Sequence, residues 1–188
     1  GEVFAREEER KGGSIKTYTG IHVYPLDARV EEIDLEDIAH ALSNLCRYTG
    51  HTSKFYSVGE HSVRVSEYLE GMSSMATARV GLLHDATEAY LNDIARPIKH
   101  SPGFGPAYRT AEQRLYEVIA QKFDLPKKLP EVVHHADDTL LVTEMRDLMG
   151  VKSFWPNAPE PLSGSIEPWT PARAKKAFLN RYQYLTKE

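Results

Sequence analysis

ARVGLLHDATEAY, residues 78–90, is the stretch that decides the fold. It reads as an apolar helical run, yet His84 and Asp85 stand side by side within it. Neighbours on a helix are turned from each other by roughly 100°, so both polar groups need a partner. A buried charge is costly unless it is paired or bound to a metal. Upstream, VGEHSVRVSEYL (58–69) carries His61. Downstream, PEVVHHADDTLLVTEMRDLM (130–149) offers Asp137, with Asp138 beside it. Three helical runs thus supply His, His-Asp and Asp, enough for one metal site. The plainer reading stays open, because a lone helical histidine usually sits in the core or on the surface with a hydrogen bond.

The rest of the chain reads as more helices. The 78–90 run extends to a helix over 73–91, with Gly81 suited to close helix approach. Ser57, three residues before Glu60, marks the start of the His61 helix. That helix carries His61, Val65, Tyr68 and Leu69 near one side. Before it, Asp34 caps LEDIAHALSNLCRY (35–48), with Asp37 as a weaker capping-box partner. Leu35, Ile38, Leu42 and Leu45 form its apolar stripe. SIKTYTGIHVYP (14–25) predicts a small β-hairpin around Thr19-Gly20, with Tyr18, Ile21, Val23 and Tyr24 as strand formers. The first dozen residues are highly charged and read as frayed or as a short helix. TGHTSKFY (49–56) and NDIARPIKHSPGFG (92–105) read as loops. AYRTAEQRLYEVIAQKF (107–123) is helical, with Ala111, Leu115, Val118, Ile119 and Phe123 inward. Gly150 ends the Asp137 helix, and a proline-rich connection follows. Thr170 then caps a last helix with Pro171 in its first turn and Ala174, Phe178, Tyr182 and Leu185 inward. The expected architecture is all-α: one domain over 1–188, with the metal-site core at 34–149, a loop at 150–169 and a helix at 170–186.

Size and charge narrow the function. A chain of 188 residues suits one domain with a sizeable core. Its 23 Lys and Arg against 27 Asp and Glu give a formal net charge of -4, so no general attraction to nucleic acid or anionic lipid is expected. Cys46 is the single cysteine, which fits a reducing compartment. GEVFAREEERKGG lacks the apolar centre of a signal peptide. No apolar run is long enough to cross a bilayer. A cytoplasmic protein is expected.

The ligand types His61, His84, Asp85 and Asp137 suit a divalent first-row ion or Mg; Mn, Co, Zn, Fe and Ni all stay open. Such an ion could orient a phosphate oxygen and lower the pKa of bound water. Glu88 follows Asp85 by three residues and falls beside both ligands if the helix continues. It is the candidate general acid or base. Asp93 in the next loop is a candidate turn residue or catalytic carboxylate. Arg47 at the end of its helix is either a C-terminal cation or a bidentate phosphate contact. Tyr48 could stack on a base or fill the core. His51 and Lys99 are candidate phosphate or leaving-group contacts. Lys54 and Arg64 carry no assignment.

The pieces LCRYTGHT, YSVGEHSVRVSEYL, GLLHDATEAYLNDIARPIK and HHADD, over roughly residues 34–149, resemble the HD-domain phosphohydrolases. Within that superfamily the chain looks like the nucleotide-cleaving branch of bacterial 5'-deoxynucleotidases and phage-type dATP triphosphohydrolases. The resemblance implies an all-α bundle with the metal between central helices. It selects Asp137 over Asp138, because the last ligand follows a small residue, here Ala136. His134 and His135 are left outside the direct ligands. Glu88 matches the family glutamate, and Asp93 an acidic residue that helps with the sugar or leaving group. Arg47-Tyr48 matches an arginine–aromatic pair in which relatives often carry Trp.

The resemblance implies hydrolysis of a deoxynucleoside 5'-monophosphate to nucleoside and phosphate. The first alternative is release of triphosphate from a dNTP. An alarmone hydrolase and a non-catalytic nucleotide-binding protein rank lower. Only Arg47 and Lys99 stand out as nearby cations, which favours the monophosphate. A small nucleotide is the expected ligand, with no nucleic-acid partner and no membrane. A homo-oligomer is also implied, with 153–169 and the last helix as candidate interface.

Overall fold

Thr17 N–H donates to the Ile21 carbonyl at 2.9 Å, and the chain reverses between them. Gly20 takes the turn at φ 95°, where a side chain would be strained. The flanking strands are β1 (Ile15–Lys16) and β2 (His22–Val23), antiparallel with Ile15 opposite Val23. The computed structural model describes residues 10–187. The expectation for the charged start falls chiefly on residues 1–9 and to that extent lies outside the described residues. Among the described residues, this hairpin is the sole sheet and everything else regular is helical. Tyr18, expected in a strand, stands on the turn and stacks on His40 with ring centroids 3.7 Å apart.

The helices are α1 (Leu35–Asn44), α2 (Val58–Met72), α3 (Met75–Leu83), α4 (Glu88–Leu91), α5 (Arg96–Lys99), α6 (Phe104–Phe123), α7 (Glu131–Met149) and α8 (Pro171–Leu185). Asp34 caps α1 by accepting from Glu36 and Asp37 N–H at 2.8 and 3.2 Å. Asp37 does not complete a capping box, because its carboxylate accepts from the Thr19 N–H and hydroxyl instead. That contact ties the hairpin to α1. The helix also stops early. Leu45 is extended, and Cys46 makes an isolated bridge with Ser57. Arg47 therefore lies on an extended segment and is not a helix C-terminal cation.

A second correction concerns 73–91, which is not one helix. It breaks over 84–87 into α3 and the single turn α4. The segment 92–105 is more ordered than expected, since it contains α5 with Pro97 near the helix start. Gly105 lets α6 approach α5: a Cβ there would lie 2.4 Å from the Lys99 carbonyl oxygen.

One continuous apolar cluster runs from Val23 through Ile38, Leu69, Leu83, Ile119 and Leu140 to Phe178 and Leu185. Each fully buried Leu or Ile of this kind contributes roughly 1.5–3 kcal/mol. At Gly81, α2 and α3 come so close that a Cβ would meet Leu69 Cδ1 at 2.3 Å. α8 packs on α1, α2 and α3, burying Ala174 and Phe178 completely. The inner face expected for the last helix is thus packed within the chain. No helix among the described residues is long and apolar enough to cross a membrane.

Candidate functional site

α2 delivers His61 to the centre of the molecule. Ser57 Oγ starts the helix by accepting from Glu60 N–H at 3.0 Å. The Glu60 carboxylate turns away to Arg64 and to Trp169 N–H. His61 is fully buried, with its Nδ1 2.5 Å from Glu144 Oε1. His84 and Asp85 sit on the turn that leaves α3. There Ala86 N–H donates to Leu83 O at 3.1 Å and Glu88 N–H to Asp85 O at 3.0 Å. His84 Nδ1 lies 2.6 Å from the Gly81 carbonyl. A carbonyl only accepts, so Nδ1 carries a proton, and in the neutral ring the lone pair falls on Nε2.

Side chains from three parts of the chain converge here. Asp85 Oδ2 is 3.1 Å from His84 Nε2 and 3.6 Å from His61 Nε2. Asp137 Oδ1, from α7, is 3.0 Å from His61 Nε2 and 3.7 Å from His84 Nε2. The donor atoms of His61, His84 and Asp85 all lie within 4.8 Å of one another, so this buried group could hold a metal ion. Both Nε2 atoms are buried and lack a hydrogen bond of acceptable geometry. Buried polar atoms are otherwise nearly always paired. Two orphaned nitrogens facing two carboxylates are what a divalent ion would satisfy.

Electrostatics agree with that fit. Burial raises the Asp85 carboxyl, but the His84 imidazole beside it draws its pKa down to about 2. Asp137 also falls well below its ordinary value, because the two imidazoles close beside it outweigh the effect of burial. The same carboxylates raise both histidines against the opposing effect of burial. Protons and a metal compete for such nitrogens, so an ion would take the protons' place.

Asp85 and Asp137 form part of the floor of a cavity of about 890 Å³. Glu88 lines it, and its buried Oε2 has no hydrogen-bond partner. Burial, then the nearby Asp85 and Asp93 charges, push the Glu88 pKa well above the usual carboxylate value. An ion on Asp85 would weaken the second effect and leave the first. Asp93 also lines the cavity and is raised by burial against the pull of Arg47.

Arg47 is buried. Its Nε donates to Glu144 at 3.0 Å, while Nη1 lies 3.7 Å from Asp85 Oδ2. Tyr48 lines the cavity at φ 56°, an uncommon backbone for a residue with a side chain. Its hydroxyl donates to Glu144 at 2.6 Å, so its ring edge is committed to the protein.

The two further expected substrate contacts lie in different settings. His51 is exposed and lies outside the cavity lining, because the backbone turn at 48–50 carries it away. Lys99 does line the cavity, but its ammonium is paired with Glu112 at 2.5 Å. His134 is an exposed residue of the lining, and Asp138 pairs with Arg96 at 3.7 Å, so neither joins the ligands.

Sequence reasoning missed two groups. The first is Glu144, fully buried and shared by four side chains. Its signal was a charged residue two turns beyond Asp137, inside the apolar run LLVTEM. The second is a set of further cations on the cavity lining: Arg96, Lys127 and Lys128. Nothing in their local sequence separates them from solvated surface residues.

No family model matches the chain. It is 38% identical over 176 residues to the uncharacterized protein YfdR of Escherichia coli, covering 92% of this chain and 95% of that one. It is 36% identical over 116 residues to an uncharacterized protein of Rhodobacter capsulatus, covering 59% of this chain and 58% of the relative.

Proposed function

The chain belongs to the family of the Escherichia coli protein YfdR, and we propose that it is a metal-dependent phosphohydrolase that cleaves the 5' phosphoester of a deoxynucleotide. One observation carries the reaction class. Two buried, unpaired imidazole nitrogens and two ionised carboxylates meet at a cavity that also presents Glu88 and Arg47. His61, His84, Asp85 and Asp137 would hold the ion. An ion there would orient a phosphate oxygen and lower the pKa of the attacking water.

The remaining work falls to the chain's own groups. Arg47 offers its Nη atoms to phosphate, because Nε is already engaged by Glu144. Glu88, whose carboxyl burial holds above the usual carboxylate pKa, is placed to give a proton to the leaving 5' oxygen. Asp93, beside it on the cavity wall, can receive a sugar hydroxyl. The deoxynucleotide part of the reading rests on the resemblance of LCRYTGHT and HDATEAYLNDIARPIK to the nucleotide-cleaving HD-domain enzymes.

A specific observation also favours the triphosphate alternative. The monophosphate reading rests on Arg47 and Lys99 being the only cations that stand out in the sequence near the site. Lys127 and Lys128 add charge on the same cavity, where a longer phosphate chain could reach them. A product-resolved screen of nucleoside mono-, di- and triphosphates with Mn, Co, Zn and Mg separates the two. Free phosphate from a deoxynucleoside monophosphate selects the nucleotidase. Intact triphosphate from a dNTP selects the triphosphohydrolase. No cleavage with any metal, in protein that binds the metal, rejects the substrate class.

A further inference from the structure

Glu144 has no part in the chemistry above, yet four side chains converge on its buried carboxylate. Oε1 accepts from Tyr56 Oη at 2.9 Å and faces His61 Nδ1 at 2.5 Å. Oε2 accepts from Tyr48 Oη at 2.6 Å and from Arg47 Nε at 3.0 Å. An ionised carboxylate has about four acceptor positions, and all are used. With Glu144 ionised, as the Arg47 guanidinium and two phenol donors favour, it has no proton to give and the His61 Nδ1 donates the fourth. That leaves the His61 lone pair on Nε2, the atom nearest Asp137.

We infer that Glu144 is a positioning residue that couples the metal site to the phosphate cation, orienting the His61 ring and the Arg47 guanidinium through one carboxylate. This rests on the proposed metal phosphohydrolase reading. A simple counter-charge for Arg47 would not need the imidazole or the two phenols. The chain also accepts a left-handed backbone at Tyr48 and Thr49, and that segment brings the Tyr48 hydroxyl to Glu144. Carboxylates behind ligating histidines hold the ring and its tautomer, and their loss typically weakens metal binding about 10–100-fold.

The test uses zinc and inorganic phosphate as probes on the full chain. Chelator competition should show zinc binding to Glu144→Gln weakened by about 10–100-fold relative to wild type. Phosphate binding to the zinc-loaded variant should weaken as well. Zinc and phosphate affinities both at wild-type level overturn the inference and leave the metal reading standing. Zinc affinity that falls with phosphate affinity unchanged overturns the coupling to Arg47. Wild-type protein that takes up no zinc, Mn, Co or Mg overturns the metal reading itself, and this inference with it. If the variant does not fold, proton–nitrogen NMR of the histidine rings in zinc-loaded wild type decides. A protonated His61 Nδ1 supports the assignment, and a bare Nδ1 overturns it.

Discussion

At the scale of single residues, Glu88 and the carboxylates of Asp85 and Asp137 titrate in opposite senses. Asp85 and Asp137 have folded pKa values below the ordinary ones, so their contribution to stability is complete above an unfolded pKa of about 4 and is lost as pH falls through the folded value. Glu88 is raised, so its contribution is complete below the unfolded value and is lost as pH rises through the folded one. Replacement of Glu88 by Gln removes that second loss. In metal-free protein, the melting temperature of Glu88→Gln relative to wild type should rise between acidic and neutral pH. Melts across that range check the sign, and a gap that closes with rising pH contradicts it. The same variant should keep its metal and lose about 10²–10⁴-fold in turnover, because an amide cannot donate a labile proton in the carboxyl's place. The pair His84-Asp85 was legible in the sequence because an apolar run makes polar neighbours conspicuous. Glu144 was harder to read, since its partners Arg47, Tyr48, Tyr56 and His61 lie far along the chain and only the fold gathers them.

At the scale of elements, the positions of the long helices followed from periodicity, and the errors lie at their ends. α1 was extended to Tyr48 because Leu45 continued its apolar stripe, but the Cys46–Ser57 bridge draws that segment into extended backbone. α3 and α4 were merged because nothing between Leu83 and Glu88 breaks a helix by propensity. The turn there lets His84 bond back to Gly81 while Asp85 faces the cavity. Gly81 was legible as a close-approach glycine, and its cost can be measured. Gly81→Ala must displace Leu69 and should destabilise the fold by about 1–3 kcal/mol. Denaturant titration with an unchanged m-value checks it, and a stabilised variant refutes the close contact.

At the scale of the whole molecule, the proposed ion joins α2, the turn after α3, and α7. Anything that binds the folded chain alone stabilises it by mass action, by about 2.7 kcal/mol at a free concentration one hundred times Kd. For a chain of this length each kcal/mol moves the melting temperature by roughly 2–4 °C. Metal-loaded protein should therefore melt several degrees higher than chelator-treated protein. Asp85→Ala and Asp137→Ala should melt alike with and without chelator. A chelator-dependent shift retained in both variants would remove these two carboxylates from the ligand set.

The proline-rich segment between α7 and α8 has no helix or strand of its own, yet its second half is fastened at regular intervals. Leu162 N–H donates to Thr143, Ile166 N–H to Asp147 and Trp169 N–H to Glu60, while Arg146 donates to the Leu162 and Gly164 carbonyls. Its first half, around Ser153 to Asn157, lies largely exposed. The two halves should therefore age differently as sequences diverge. Length and composition can drift freely near Trp155, whereas an insertion past Leu162 shifts every later amide off its acceptor. The segment is a ruler whose graduated end is fixed to two helices and whose other end is blank.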